Sequence, residues 1–220
     1  MLNGLVNLVY PPKCLLCDKK TGNESLCQEC KKFWKPFPHK LTDFNFPTYA
    51  SIRYNRFAMK MVLLAKEEGN KSAQELLATA IRTSITRLIS GSDNKISLVP
   101  IPTSFKPYRR RGINPILELA SRTCTQMQRN NQEINIAQLL EVRKSLQDQT
   151  GLTNLERLRN LAGAFQVKSQ IDSDSYESRG LIVIDDVVAS GSTLREAVRA
   201  LKERNLTVIG AASACFTFRY

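Results

Sequence analysis

Two adjacent carboxylates and a run of small hydroxyl residues lie together in the 13-residue segment 181–193, whose sequence is LIVIDDVVASGST. Its first four residues are apolar and mostly β-branched, which predicts a strand buried inside a parallel sheet. Asp185 and Asp186 follow at the predicted end of that strand, and a predicted helix begins at Ser192. Because ligands of open α/β sheets bind at the carboxyl ends of the strands, the segment predicts a ligand site.

The two halves of this segment favour two kinds of contact. A helix N-terminus offers free N–H groups and a positive dipole end to an anion, and a glycine lets the backbone approach a phosphate closely. The two aspartates have the wrong charge for phosphate, but they can accept hydrogen bonds from the vicinal hydroxyls of a ribose. The alternative is an ordinary strand-turn-helix with acids at the strand end. The predicted phosphate contacts are Ala189, Ser190, Gly191, Ser192 and Thr193.

A cluster of positive charge follows another apolar run, at residues 96–101. Val99-Pro-Ile-Pro102 ends this predicted strand and opens a loop that Gly112 closes. Four cations in six residues suit a doubly charged leaving group, whose developing charge arginines can stabilise by bidentate hydrogen bonds. A solvated basic loop and a contact to a DNA backbone are the alternatives. The cations of the loop are Lys106, Arg109, Arg110 and Arg111.

Four of the six cysteines lie near the N-terminus as two C-x2-C pairs: Cys14 and Cys17, then Cys27 and Cys30. Thiolates at this spacing can complete a tetrahedral zinc site, and a closed four-sulfur shell makes the role of the zinc structural. Iron–sulfur ligation and redox pairing are the alternatives. The N-terminus does not resemble a secretory signal, which argues against a disulfide framework and predicts a cytoplasmic protein.

Hydrophobic periodicity predicts the elements that position these groups. An apolar strand at 181–184, a helix at 192–205 and a strand at 206–211 form a βαβ unit, which requires a parallel sheet. Ser72 and Glu75 form a capping box that predicts the start of a helix. Other predicted elements are strands at 48–54 and 96–101 and helices at 57–66, 76–89 and 114–129, the last capped by Asn114 before Pro115.

We therefore expect an α/β fold in which a parallel or mostly parallel sheet has helices on both faces. The small zinc module precedes it, with a boundary near residue 40: residues 1–40 form the module and residues 41–220 the main domain. The length of 220 residues, with 42% hydrophobic and 24% charged residues, suits one ordinary domain plus an appendage. No apolar run is long enough to predict a membrane span.

The net charge of +12 is concentrated in the first part of the chain. Lys and Arg outnumber Asp and Glu by 21 to 9 over residues 1–130, whereas both groups number 11 over residues 131–220. Such asymmetry favours a polyanionic partner, either nucleic acid or a phosphate-rich substrate. Near the cysteines, Phe33 and Trp34 could stack on the bases of single-stranded DNA; the alternative for Trp34 is packing onto the main domain. The lysines around the cysteines are Lys19, Lys20, Lys31 and Lys32.

Segment 181–193 resembles, at all of its positions, the phosphoribosyl-pyrophosphate motif of type I phosphoribosyltransferases. The wider pattern resembles the ComF family, a phosphoribosyltransferase-like group linked to bacterial DNA uptake. That second resemblance extends over nearly the whole chain, in the expected order. It rests on the cysteines after Pro11-Pro12, the V-P-I-P run with its arginines and Gly112-Ile-Asn114, and Gln149-Thr-Gly-Leu152 with Glu156-Arg157-Leu-Arg-Asn160 and Gly163-Ala-Phe165.

These resemblances imply that the protein binds phosphoribosyl pyrophosphate with Mg²⁺, and that Asp185 and Asp186 are the catalytic pair if it is an enzyme. Two hypotheses stay open from the sequence. One is a DNA-uptake protein that uses the fold as a binding platform, with single-stranded DNA and competence proteins such as a helicase as partners. The other is an active phosphoribosyltransferase of nucleotide metabolism that releases pyrophosphate to an unknown acceptor.

Overall fold

The computed structural model describes residues 12–22, 24–91, 95–102, 114–129, 132–143, 163–172, 174–176 and 178–217. Helices in these ranges are α1 (Gln28–Phe33), α2 (Arg56–Lys66), α3 (Lys71–Leu88), α4 (Pro115–Gln128) and α5 (Ser192–Lys202), with a 3₁₀ turn at Asp174–Tyr176. Strands are β1 (His39–Lys40), β2 (Thr48–Arg53), β3 (Lys95–Pro100), β4 (Ile134–Ile136), β5 (Leu140–Val142), β6 (Phe165–Val167), β7 (Arg179–Val188) and β8 (Val208–Phe216).

Six of these strands form one sheet in the order β1-β2-β8-β7-β3-β4. Every pair from β2 to β4 across this sheet is parallel, and only β1 runs antiparallel to its neighbour β2. Strands β5 and β6 form a separate antiparallel pair. The predicted mostly parallel sheet is therefore confirmed, with β7 and β8 at its centre.

Alternate residues of β7 enter two apolar cores because side chains of a strand point to opposite faces. Ile182 and Ile184 pack in a cluster with side chains of α2, α3 and α4. Leu181 and Val183 pack in a second cluster, with side chains of α5 and of the β5–β6 pair. Helices thus cover both faces of the sheet, and the apolar run of β7 is explained by burial on both sides.

The structure confirms one predicted helix start and corrects another. The Asn114 side chain accepts hydrogen bonds from Ile116 N and Leu117 N, so it caps α4 ahead of Pro115 as the sequence indicated. The capping box at Ser72 is wrong, because Asn70 caps α3 by accepting from Ala73 N at 3.0 Å. The chain reverses at Gly69, whose φ is +63°, and α3 begins two residues later.

Strand β7 is longer than its apolar run predicts. It continues through Asp185 and Asp186 to Val188, because β8 pairs with it as far as Val188–Phe216. The prediction that the strand ends at the two acids is therefore wrong. Both carboxylates belong to the last part of a central strand, where β8 still pairs with the backbone and β3, whose pairing ends at Ile184, no longer does.

The cysteine module, residues 14–34, packs against the helical face that contains α2. Leu16, Leu26 and Trp34 are buried in the same apolar cluster as the side chains of that face. Trp34 is 6% exposed, which confirms that it packs in the interior and excludes it from base stacking. Lys60 of α2 donates to Leu16 O at 3.2 Å and fastens the module to the helix.

Among the described residues, none of the helices combines the length and the hydropathy that a membrane crossing requires.

Gly210 in β8 tests how tightly the sheet packs against its surroundings. A Cβ added there would lie 2.5 Å from Pro47 O, a backbone carbonyl that already accepts from Ala211 N at 2.9 Å. We expect Gly210→Ala to lower the free energy of unfolding by about 1–3 kcal/mol, measured by urea denaturation, because this carbonyl cannot move aside.

Gly180→Ala is the matched control in the adjacent strand. Its Cβ would meet only the side chain of Ile209, at 2.7 Å from Cδ1, and that side chain can change rotamer. The smaller loss of stability should therefore be found in Gly180→Ala. An equal loss of stability in both variants would show that the contact with Pro47 O does not determine how much Gly210→Ala destabilises the protein.

Candidate functional site

The backbone between β7 and α5 turns sharply at Gly191. This residue has a φ of +72°, in the left-handed region that glycine tolerates best, and it precedes the first residue of α5. No side chain caps the helix and no acidic residue lies in its first turn. Residues 189–193, here named the Gly191 turn, therefore bring uncapped N–H groups and a positive dipole end to this edge of the sheet.

Two hydroxyls of the Gly191 turn, those of Ser190 and Ser192, form a hydrogen bond with each other. The oxygens Ser190 Oγ and Ser192 Oγ lie 2.6 Å apart, and Ser192 N donates to Ser190 Oγ at 3.3 Å. Ser192 is 3% exposed, whereas Ala189 is exposed and Thr193 half-buried. The backbone of the turn and Thr193 are accordingly better placed for a ligand than the hydroxyl of Ser192.

Asp185 and Asp186 differ in their surroundings although they are adjacent. Asp186 is 4% exposed and forms an ion pair with Lys66, with 2.6 Å between Nζ and Oδ2. Its Oδ1 accepts from Val187 N at 2.9 Å, and Asp185 Oδ1 accepts from Asp186 N at the same distance. Asp185 is half-buried and lines a small cleft, so it is the more accessible of the two carboxylates.

Burial raises the pKa of Asp185 to about 8, and the neighbouring charge of Asp186 acts in the same direction. Lys66 opposes this shift. Burial works against the charged form of the Lys66 ammonium, but the two carboxylates outweigh it and raise the pKa of Lys66. Asp185 therefore holds a proton near neutral pH and can donate as well as accept a hydrogen bond.

The cleft above β7 brings the predicted residues together. It has a volume of about 140 Å³, and its floor and rim are formed by the end of the strand, the turn and the first residues of α5. Ser192 and Asp186 are buried and are not among its lining residues. The lining residues are Asp185, Val187, Val188, Ala189, Ser190, Gly191, Thr193 and Leu194.

The predicted basic loop begins beside the acid pair. Strand β3 pairs with β7 up to Pro100 and Ile184, and Ile101 N donates to Ile184 O at 3.2 Å. The start of the loop therefore lies beside Ile184, the residue that precedes Asp185. The four predicted cations themselves lie outside the described residues: Lys106, Arg109, Arg110 and Arg111.

Sequence reasoning missed Lys66 as a member of this site. Its ammonium approaches Asp186 because α2 ends where β7 ends, on the face of the sheet that Asp186 occupies. A lysine in the last turn of an amphipathic helix gives no signal of its own, since cations are common there. Only the parallel order of β2, β8 and β7 reveals the pairing.

The four cysteines of the N-terminal module converge as the spacing predicts. Their Sγ atoms all lie within 4.8 Å of one another, and Cys17 Sγ is 3.6 Å from Cys27 Sγ. Cys30 N donates to Cys27 Sγ at 3.4 Å. Burial works against ionisation of Cys14, but backbone hydrogen bonds outweigh it and lower its pKa to about 6. Four sulfurs at this separation suit one tetrahedral zinc ion.

Two family models match the sequence. Residues 128–217 match the phosphoribosyl transferase domain, and residues 5–41 match the double zinc ribbon domain. The first match includes β7, the Gly191 turn and α5, and the second includes all four clustered cysteines. No curated protein matches the chain at a significant level.

Fold, cleft and family matches agree on the class of protein. The chain combines a phosphoribosyltransferase-type α/β domain with an N-terminal zinc ribbon. The ribbon has a single set of four cysteines within residues 5–41, which is enough for one structural zinc site.

Metal analysis tests the ribbon directly. We expect about one zinc per chain in freshly purified protein, because four converging thiolates form a closed shell. Cys17→Ser should lose most of this zinc and unfold at a lower temperature. Cys124→Ser, which changes a buried thiol outside the cluster, should keep it. Less than half a zinc per wild-type chain would contradict the assignment.

The raised pKa of Asp185 predicts how stability depends on pH. A carboxyl that binds its proton more tightly in the folded state makes the free energy of unfolding fall as pH rises from about 4 to about 8. Asp185→Asn removes this titration. We therefore expect the variant to gain stability over wild type as pH increases from 5 to 8, in urea denaturation at several pH values.

Glu68→Gln is the control for this series, since it removes an exposed carboxylate two residues from Lys66. Its stability should follow the wild-type curve. Parallel curves for wild type and Asp185→Asn across the whole range would refute the claim that burial holds a proton on Asp185.

Proposed function

We propose that this protein binds phosphoribosyl pyrophosphate with Mg²⁺ in the cleft above β7 and serves DNA uptake as a ComF-like protein. The observation that carries the proposal is the junction of a carboxylate pair with an uncapped helix N-terminus. Asp185 and the Gly191 turn line one cleft, and Asp186, the next residue of the strand, is ion-paired with Lys66. The matched phosphoribosyl transferase domain contains this junction.

The site would hold the ligand with hydrogen-bond acceptors at the ribose and with hydrogen-bond donors at the 5′-phosphate. The vicinal ribose hydroxyls would lie on Asp185 and Asp186, whose oxygens can accept from them. The 5′-phosphate would lie on the turn, Ala189 to Thr193, where N–H groups and the helix dipole favour an anion. Pyrophosphate would lie toward Lys66 and the basic loop.

Mg²⁺ would bind mainly through the phosphate oxygens and retain several waters, as is usual for this ion. The half-buried ammonium of Lys66 is close to the acid pair and adds positive charge to the same region. The loop cations Lys106, Arg109, Arg110 and Arg111 would supply further charge for pyrophosphate. No carboxylate beyond the pair is required by this arrangement.

Catalysis is a second candidate function that the same site supports. In a transfer, the bond from C1 of the ribose to the pyrophosphate oxygen breaks, and its electron pair leaves with pyrophosphate. The lone pair of an acceptor then forms the new bond to C1, and the acceptor loses a proton. Asp185 is half-buried and has a raised pKa, properties common in active-site carboxyls.

The DNA-uptake role draws on charge and on exposed aromatic residues. Segment 31–40 contains four lysines and no acid, and the structure leaves Phe33 61% and Phe37 64% exposed within it. Cations that alternate with exposed rings are typical of single-stranded nucleic acid binding. The resemblance to ComF proteins adds a competence helicase as a candidate partner. A cytoplasmic location stays a prediction.

Calorimetric titration with phosphoribosyl pyrophosphate and Mg²⁺ tests the ligand. We expect wild type to bind, and both Asp185→Asn and Asp186→Asn to weaken binding at least about tenfold, because each variant replaces a carboxyl oxygen that would accept from a ribose hydroxyl with an amide nitrogen that cannot. Glu68→Gln should bind as wild type does. Absence of heat with wild-type protein, or undiminished binding by both variants, would refute the proposal.

Two further measurements on the same proteins distinguish a non-catalytic binding platform from an active phosphoribosyltransferase. Release of pyrophosphate with a nucleophilic acceptor would establish transfer. Salt-sensitive binding of single-stranded DNA that survives in Asp185→Asn and Asp186→Asn, without pyrophosphate release, would establish the platform.

A further inference from the structure

A segment far from the Gly191 turn in sequence packs directly against it. Residues 41–46, here named the cap segment, follow β1 and join it to β2. Leu41, Phe44 and Phe46 of this segment contact the apolar cluster that also contains α5. The ring centroids of Phe44 and Phe46 are 5.3 Å apart. The cap segment is thus anchored on the α5 face of the sheet and reaches the first turn of that helix.

Arg195 of α5 joins the cap segment to the Gly191 turn. Its Nη1 donates to Ser190 O at 2.8 Å, and its Nη2 donates to Asp43 O at 2.6 Å. Its guanidinium carbon lies 4.5 Å from the centre of the Phe44 ring. One planar cation therefore bridges two backbone carbonyls while it stacks on an aromatic face.

Phe44 also fills the space behind Gly191. A Cβ built on Gly191 would lie 2.3 Å from Cζ and 2.7 Å from Cε1 of that ring. The ring therefore occupies the volume that any other residue at position 191 would require. This close contact limits how far the turn can move toward the cap segment.

The contact with Ser190 O has a consequence for the phosphate site. In a trans peptide, the C=O and the following N–H point in opposite directions within one plane. Because Arg195 holds the Ser190 carbonyl, it also fixes the direction of the Gly191 N–H. This amide belongs to the set that would donate to the 5′-phosphate under the proposed function.

We propose that Arg195 and Phe44 are positioning residues for the phosphate-binding turn. They hold the Ser190–Gly191 peptide in the orientation that donates to phosphate, and neither is required to touch the ligand. The inference rests on the proposed function for its ligand, but the restraint on the turn can be measured without one. It also places residues 43 and 44, outside the matched phosphoribosyl transferase domain, among the determinants of that domain's site.

Arg195→Gln, Arg195→Lys and Phe44→Leu test the inference by two readouts. The first is the affinity for phosphoribosyl pyrophosphate with Mg²⁺ by calorimetry. The second is hydrogen exchange in peptides that contain residues 189–193, measured without ligand. Lys202→Gln, at the exposed end of the same helix, is the control. Urea denaturation checks that global stability is retained.

We expect Arg195→Gln and Arg195→Lys to weaken binding by about tenfold and to speed exchange in the turn, with Phe44→Leu showing a smaller effect in the same direction. Lysine keeps the charge but cannot bridge two carbonyls with a planar fork. Wild-type affinity in Arg195→Lys would therefore overturn the inference, because charge alone would explain the role of Arg195.

Unchanged exchange in residues 189–193 of Arg195→Gln would overturn it as well. If wild-type protein binds no phosphoribosyl pyrophosphate, the proposed function fails, and the exchange result alone decides the positioning role. Faster exchange in the turn then supports the inference, and unchanged exchange refutes it.

Discussion

Adjacent carboxylates at the end of a buried strand repel one another, and burial opposes ionisation of Asp185. The ion pair between Lys66 and Asp186, at 2.6 Å, lowers the free-energy cost of this arrangement. It compensates the more deeply buried acid and leaves Asp185 to face the cleft. The ion pair requires that α2 and β7 end at the same level, which the parallel order of β2, β8 and β7 provides.

The backbone beneath the acids is held by polar contacts in an otherwise apolar sheet. Ser213 Oγ donates to Asp185 O at 2.9 Å, and Ser84 Oγ donates to Ser213 O at the same distance. Ser51 Oγ lies 2.6 Å from Ser84 Oγ and continues the chain of contacts. Buried hydroxyls are stable only when they are paired, so this row ties α3 to β2, β8 and the strand that positions the acids. Rigidity on this side of the site complements the contact of Arg195 and Phe44 on the other.

Features set by short stretches of sequence could be predicted. The apolar run of β7, the cap of α4 at Asn114 and the spacing of the cysteines depend on neighbours within a few residues, and the structure bears them out. The start of α3 was misplaced because Ser72 and Asn70 are both competent caps. The reversal at Gly69 decides between them, and sequence alone does not show it.

Features that depend on tertiary contacts could not be predicted. Lys66 meets Asp186, and Phe44 meets Gly191, only after the sheet has assembled. The same reason explains the length of β7: pairing with β8 extends the strand through two acids that local propensity would exclude from it. The residues proposed to contact a ligand were thus visible in the sequence, whereas those that support them were not.

The most direct test of the account is a crystal structure of the protein with ribose 5-phosphate. We expect the ribose hydroxyls to contact the carboxylates of Asp185 and Asp186, and the phosphate to accept hydrogen bonds from backbone N–H groups of residues 189–193. A ligand bound elsewhere, or a cleft above β7 that stays empty at saturating ligand, would contradict it.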